Sequence, residues 1–396
     1  MTEIIERPAG TEAVTAETVT TLEGLQALRP CYERLQRATG NILPFATYDW
    51  HLAWCNRFLN SNARTLDQVN FFVARNPAGE CVAILPFIIS RRRVGRISVA
   101  AVNSVGADPN ITEIRGPLMV PGYEAAIAAA VQSQLAELDD WDWVHWVGIS
   151  DAYAAALSKH CNLVWQPEQV AFVLDLAPTW EQFRSGLKRN IRESLRHCYN
   201  SLKRDKHTFE FQVVESGPEV AAAVERFLEL HAMRAHVKFG AQHPDRFATP
   251  LYRDFLREVC QRFADSGKLR LFQLKIGPEA VAIWLGLVCG DSIFFYNSGF
   301  DPDWSRYSVM TTTLAEAIKY AIAQGFKAVH LSAGRDVAKT RWGPQEVSYK
   351  SGYQPGNRLR SRIAMQTYLR ARASDGLLAR FLRRLGQVRP SWRPSR

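Results

Sequence analysis

The sequence predicts a mixed α/β protein with mixed sheets, in which one unit of hairpin, strand, helix and further strand occurs twice. Three observations point that way. Runs of β-branched and aromatic residues recur in hairpin-like pairs, and each is followed by a helical stretch and one more strand. "CVAILPFII" from Cys81 is echoed by "AVAIWLGLV" from Ala280, and "WVHWVGI" by "AVHLSAG", so a Val-Ala-Ile strand precedes a Val-His strand in both halves. The spacing is 61 positions from Ile84 to His145 and 47 from Ile283 to His330, which keeps the echo weak as a repeat. At 396 residues, 47% hydrophobic and 22% charged, the chain has the length of about two or three ordinary domains.

Residues 1–20 carry acids and threonines, without the basic start and apolar stretch of an export signal, and read as a disordered terminus. Residues 21–60 read as helical with a break at Leu43-Pro44. Strands over Val69–Ala74 and Cys81–Ser90 are joined by the turn Asn76-Pro77-Ala78-Gly79. Strands near 95–103 and 113–120, an alanine-rich helix over Tyr123–Leu138 and the strand "WDWVHWVGI" follow. A basic helix from Trp180 to about Lys206 places Phe183, Leu187, Ile191, Leu195, Cys198 and Leu202 on one stripe. "TFEFQVV" alternates with period two, helices are expected at 218–235 and 250–266, and three strands run to Phe300. A helix over 308–324, stopped by Gly325, leads to "KAVHLSAG". The expected division is an N-terminal domain over 21–170, a C-terminal domain over 171–357 and a basic amphipathic tail over 358–396.

Seven cysteines, never closer than 24 residues, form no CxxC pair, so neither a zinc nor a redox motif is indicated and the thiols read as reduced in a cytoplasmic protein. The longest apolar run, Val281–Cys289, is too short for the roughly 20 residues of a spanning helix. The net charge of +10 sits entirely on residues 358–396, with eleven arginines and one acid, while the remainder balances at 38 basic and 38 acidic residues. That balance argues against a broad nucleic-acid surface. In the tail, "GLLARFLRRL" sets Leu377, Leu378, Phe381, Leu382 and Leu385 against Arg380, Arg383 and Arg384, the pattern of a helix lying in an anionic membrane surface. A helix docked on the protein itself, or a loose polyanion-binding tail, fits the same pattern.

One local puzzle bears on function. The helix after "FFYNSGFDPDWSRYS" opens on Thr311, Thr312 and Thr313, mediocre helix formers. Such hydroxyls serve either to cap the helix or to help hold an anion at its positive end.

The doubled order of elements resembles tandem acetyltransferase-like (GNAT) folds such as the FemAB-type transferases. From about Phe183 to Trp342 the chain more closely resembles the acetyltransferase-like family of the CelD/BcsL cellulose-biosynthesis type, to which bacterial ceramide synthases belong. The matching residues are the basic helix, "FLELHAMR" with His231 and Arg234, "VAIWLGLVCGDSIFFYNSGFDP", the helix ending at Gly325, and "LSAGRDVAKTRW". "YDWHLAWCNRF" in the first half resembles that family more loosely. The resemblance implies a tandem GNAT-like acyl-CoA N-acyltransferase fold and transfer of an acyl group from a thioester, acyl-CoA or acyl-carrier protein, to an amine or hydroxyl. No permanently bound cofactor and no metal are implied. The thioester is expected where two strands splay, with its pyrophosphate on the loop before the next helix, here Arg306, Tyr307, Ser308 and Thr311. Val309 and Thr311 stand where relatives carry small residues, and His330 where many carry Asp.

A base and a group that handles the departing thiolate are needed. His330, near the end of its strand, is the expected base, with a core histidine as the alternative. His231 on a helix, Tyr296 and Asp301 beside the donor loop complete the catalytic candidates, and Arg234 is a substrate candidate. For Tyr296 packing is the stronger reading, and a turn cap also accounts for Asp301. Arg335 and Lys339, with Arg341, are cations that could hold a donor phosphate. His145 reads as structural. The expected function is N-acylation of an envelope lipid precursor at the inner membrane surface, most specifically a sphingoid base. Alternatives are acylation of an exopolysaccharide or cellulose precursor, tRNA-dependent aminoacyl transfer, and a non-catalytic polyanion-binding protein.

Overall fold

The computed structural model describes residues 13–373 except 42, 62–64, 95–96, 109–110, 139 and 238–242. The described chain divides into two units, 13–41, 45–169 and 349–373 in the first, 43–44 and 170–348 in the second.

The first unit begins with β1 (Thr15–Val19), which lies inside the terminus expected to be disordered. Its residues pair antiparallel with the strand that follows, Thr15↔Arg75 to Val19↔Phe71, so a sheet edge orders a segment whose sequence is polar. Helices α1 (Leu22–Ala27), α2 (Arg29–Thr39) and α3 (Tyr48–Phe58) come next. The Thr21 and Thr47 hydroxyls accept from backbone N–H groups and cap α1 and α3, and left-handed Gly40 ends α2. β2 (Thr65–Arg75) and β3 (Cys81–Val94) form the expected hairpin, with Asn76 N–H donating to Glu80 O at 2.9 Å. β4 (Ile97–Ser104), the two-residue β5 (Leu118–Met119), α4 (Glu124–Glu137) and β6 (Trp143–Ile149) complete the repeated pattern. α4 is the crossover that makes β4 and β6 parallel. α5 (Asp151–Leu157) and β7 (Val164–Trp165) end this pass. The core gathers around Phe72, Leu85, Val102, Ile127, Val144 and Tyr153.

The second unit opens with β8 (Gln169–Asp175), then α6 (Trp180–Gly186) and α7 (Arg189–Arg204). The single basic helix expected here is broken, because Leu187 and Lys188 are extended and the Thr179 hydroxyl starts α6 on its own. β9 (Phe209–Val214), α8 (Glu219–Ala235), α9 (Pro250–Asp265), β10 (Leu269–Ile276), β11 (Glu279–Cys289), β12 (Ser292–Phe300), α10 (Val309–Ala323), β13 (Ala328–Ala333) and the short α11 (Val337–Thr340) follow. The sheet order is β8-β13-β12-β11-β10-β9, with only β12 and β13 parallel. α7 and α10 share a core with Phe272, Ile293, Phe295 and Val329.

β14 (Gln345–Pro355) returns the chain to the first unit from Tyr349 on, pairing with β6 from Lys350↔Ile149 to Pro355↔Trp143. α12 (Leu359–Ala373) buries Met365 and Ala371, stacks Tyr368 on Trp143 at 5.0 Å, and donates from Ser361 Oγ to Asp142 at 2.8 Å. The second unit therefore ends at 348 rather than 357, and the first part of the expected tail is a docked helix. Periodicity could not show this, since the inward positions of α12 are few. The amphipathic stretch 376–385 lies outside the described residues.

Candidate active site

A parallel strand pair bonded along only part of its length parts where the bonds stop. The β12–β13 ladder consists of Ser292↔Ala328, Ile293↔Val329 and Phe294↔His330. β12 continues along β11 as far as Phe300↔Ala282, so Phe295–Phe300 have no β13 partner. Tyr296 is an extra residue on β12, between Phe295↔Gly286 and Asn297↔Leu285, and such a bulge bends the strand. β13 is irregular beyond His330, where Ser332 holds a left-handed φ of 70°. The splay expected between these strands therefore exists, and His330 stands at its apex.

His330 is 1% exposed and stacks on Phe294 with ring centres 5.7 Å apart. Neither ring nitrogen has a hydrogen-bond partner. Burial pushes its imidazole down to about 4, so the ring is neutral at neutral pH. Tyr296 is 2% exposed.

Beyond the splay, the outward carbonyls of β12 need donors other than β13. His231 Nδ1–H donates to Ser298 O at 3.0 Å, while its Nε2 accepts from Arg246 N–H at 3.3 Å. Both nitrogens of this buried ring are thus occupied, its proton is placed on Nδ1, and burial lowers it to about 4. The expected catalytic His231 is seated as a pin between α8 and β12, without a free nitrogen for proton transfer. The same close approach explains Gly299, whose Cβ would lie 2.4 Å from His231 N. Arg234 donates from Nη1 to Ser298 Oγ at 2.5 Å and to Ser298 O at 3.3 Å, and from Nη2 to His243 Nε2 at 2.8 Å. Burial pushes its guanidinium down to about 10.

At the helix expected to hold a donor phosphate, Ser308 is left-handed, φ 53° and ψ 42°, and no hydroxyl caps α10. Thr313 Oγ1 turns back to Val309 O at 2.8 Å. Thr312 is fully buried and its Oγ1 has no partner. Thr311 Oγ1 accepts from Arg341 Nη2 at 2.8 Å, and Arg341 Nε is buried without a partner. The first turn of α10 contains no acid, so its positive end faces a cation and hydroxyls.

The other expected residues divide. Arg306 is exposed and reaches the Tyr307 hydroxyl at 2.5 Å. Tyr307 is 2% exposed, donates to Asp205 Oδ2 at 3.0 Å and contacts His207 Nε2 at 3.1 Å, so it anchors the loop to the end of α7 and leaves no hydroxyl free for a donor. Asp301 accepts from Asp303 N–H at 3.0 Å and caps the short 3-10 turn Pro302–Tyr307. Arg335 forms an exposed ion pair with Glu346 at 2.6 Å. Lys339 Nζ donates to Ala333 O at 2.7 Å, tying down the end of β13. The structure thus brings His330, Tyr296, His231 and Arg234 to β12 and its splay, and Ser308 and Thr311 to the start of α10. His243 and Arg246 were missed because the residues that give them meaning are distant in sequence. Only the run of cations after α8 hinted at them.

Away from this site, a groove of about 360 Å³ between α6 and α7 is lined by Arg184, Arg189, Arg192 and Arg196 with Glu181 and Glu193. Among the described residues, no His, Cys, Asp and Glu cluster could hold a metal ion.

Residues 189–351 match the profile of an acetyltransferase (GNAT) domain. Those residues are a GNAT acyltransferase domain. The GNAT domain contains the splay, α10 and the Arg341 segment, and begins with α7. A crystal structure of FemX superposes with a TM-score of 0.54 at 10% identity, covering 85% of this chain and 96% of that one. A conserved protein of unknown function from Bacteroides thetaiotaomicron VPI-5482 superposes at 0.51 with 13% identity, covering 87% and 100%. Both likenesses extend well beyond the GNAT domain, and the fold is the tandem GNAT-like one. Among curated protein sequences, none matches the chain.

Proposed function

We propose that this acyltransferase moves an acyl group from acyl-CoA or acyl-carrier protein to the amine of an envelope lipid precursor, a sphingoid base being the most specific acceptor. The supporting observation is the β12–β13 splay, with a bulge at Tyr296, an unbonded His330 at its apex and the acid-free end of α10 beside it. The amine nitrogen attacks the thioester carbonyl, a C–N bond forms, the C–S bond breaks, and the nitrogen's proton ends on the departing thiolate. His330, neutral and without a hydrogen-bond partner, accepts from the attacking N–H. Because it is sealed from solvent, side chains at the splay shift when the substrates enter.

The test is release of free thiol from acyl-CoA thioesters of graded chain length, offered with long-chain amines, amino sugars and hydroxylated saccharides. Turnover with a lipid amine supports the reading, turnover with saccharides alone transfers it to an exopolysaccharide precursor, and no turnover with any acceptor overturns it. Among the described residues, no helix is long and apolar enough to cross a membrane, so the lipid would be met at the membrane surface, through residues 374–396.

The arginine groove of α6 and α7 favours a second reading, a polyanion-binding protein. Turnover on a soluble acceptor separates the two, and truncation after residue 373, which spares the packed α12, shows in addition how much of any polyanion binding belongs to the arginine tail and how much to the groove. Truncation at 358 would remove the buried Met365 and Ala371 and confuse unfolding with loss of binding.

A further inference from the structure

Three arginines on α8 and α9 pair with acids: Arg226 meets Glu229, Arg257 meets Glu225 and Asp254, and Arg262 meets Glu258. Arg234, more deeply placed than these, does not. Among the described residues its hydrogen bonds go to uncharged acceptors, the Ser298 hydroxyl and carbonyl and the His243 ring, and no carboxylate pairs with it within 4 Å. Arg246 adds charge of the same sign. Among the described residues Asp336 is the acid whose charge acts on Arg234, and its carboxylate is engaged in capping Ala338 N–H at 2.9 Å. A cation taken out of water without a counter-charge is destabilising. The end of the α8 dipole, where Arg234 sits in the last turn, offsets only a small part. Ser298 and His243 nonetheless hold the guanidinium in one orientation.

We infer that Arg234, oriented by Ser298 and His243 and reinforced by Arg246, receives an oxyanion, phosphate or carboxylate, carried by the acyl acceptor. The inference rests on the transferase reading for the word acceptor, while the anion site itself does not. Ser298 lies four residues beyond Phe294 but, with Tyr296 bulged out, three ladder positions along β11, which is about 10 Å from the apex at His330. The acceptor would therefore carry its anion roughly that far from the nitrogen or oxygen that is acylated. Within the proposed acceptor class this selects phosphorylated or carboxylated members over neutral long-chain amines. Two hydrogen bonds from one guanidinium to one oxyanion would also fix the acceptor's direction at the splay.

The experiment measures thermal unfolding of the full chain in sodium phosphate, sodium acetate and sodium chloride at equal ionic strength, for wild type, Arg234→Met and Arg234→Lys. Phosphate at about ten times its dissociation constant should raise the wild-type Tm by about 2 °C over chloride. Arg234→Met should lose that increment without being less stable than wild type in chloride, and Arg234→Lys should keep part of it. Acetate acting as strongly as phosphate identifies a carboxylate site; phosphate alone identifies a phosphate site. An equal phosphate response in Arg234→Met, or no anion response in wild type, overturns the proposal. Should Arg234→Met fail to fold, calorimetric titration of wild type and Arg246→Met with phosphate decides in its place, with binding weakened in the variant as the supporting result and absence of wild-type binding as the refuting one. Where turnover is found, acceptors matched except for the anion should differ at least tenfold in KM with wild type and converge with Arg234→Met. A chain that binds phosphate but transfers no acyl group refutes the transferase reading alone.

Discussion

In the first unit the parallel pair β4–β6 holds two rungs, Ala101↔Trp143 and Val102↔Val144; in the second, β12–β13 holds three and ends at Phe294↔His330. His145 and His330 occupy corresponding places, and a left-handed residue follows each, Gly148 at φ 59° and Ser332 at φ 70°. From there the units diverge. In the first, the backbone of Arg115 and Gly116 lies so close to Gly148 that a Cβ there would be 1.7 Å from Arg115 O. His145 is stacked flat on Tyr353 at 4.1 Å and 3°, and Glu124 occupies the positive end of α4, accepting from Gly122 N–H at 2.8 Å. In the second, polar side chains from α8 meet the open edge of β12, His330 is unbonded, and α10 starts without an acid. One backbone path thus yields a corner whose polar groups are paired or one in which some are left unbonded, according to which groups meet the strand where its ladder ends.

Five outcomes would sharpen or break that contrast. Gly148→Ala should cost about 4 kcal/mol in urea unfolding, since it adds both a backbone clash and a left-handed alanine. Gly299→Ala adds the clash alone and should cost about 2 kcal/mol. Equal values would mean that the two corners are packed alike. His330→Gln should lower thiol release about 100-fold with the fold intact, as expected for loss of a proton-transfer partner, whereas His145→Gln should leave kcat within about twofold and affect Tm only. Matching losses would remove the functional distinction between the units.

Acid should destabilise the protein through its buried histidines. His231 and His330 titrate at about 4 when folded against 6.5 when exposed, so the unfolded chain binds more protons between those values. Their contribution is complete above about pH 6.5 and is lost as the pH falls toward 4, about 2 kcal/mol each between pH 7 and pH 5. Urea midpoints should fall accordingly, less steeply in His330→Gln; an unchanged slope would show that His330 is not buried and neutral. Arg341→Met should raise KM about tenfold for a donor bearing phosphates but not for a pantetheine thioester, and an equal rise for both would place Arg341 away from any phosphate. Glu124→Gln, at the occupied helix end of the first unit, should cost only about 0.5 kcal/mol, with no change in donor KM.

The site was legible where chemistry is carried by a strand. His330 could be placed near the splay because the Val-His strand follows the helix after the hairpin, an order visible in the chain. Ser308 and Thr311 could be set at the start of α10 from the run of hydroxyls. The pinning of His231 was not legible, because its two partners, Ser298 O and Arg246 N–H, lie on segments that meet it only in the folded unit. Tyr307, similarly, belongs to Asp205 and His207, about a hundred residues earlier.

Alternating and three-to-four-residue apolar spacing are local properties, so the chain itself determined its strands, most of its helices and the doubled mixed α/β plan. Whether a polar atom is bonded, neutralised or left open depends on partners many residues away and on how much water reaches it. Only the tertiary structure could therefore decide that β1 pairs, that β14 and α12 return to the first unit, that His231 is a pin, and that Arg234 is held in place without an acid.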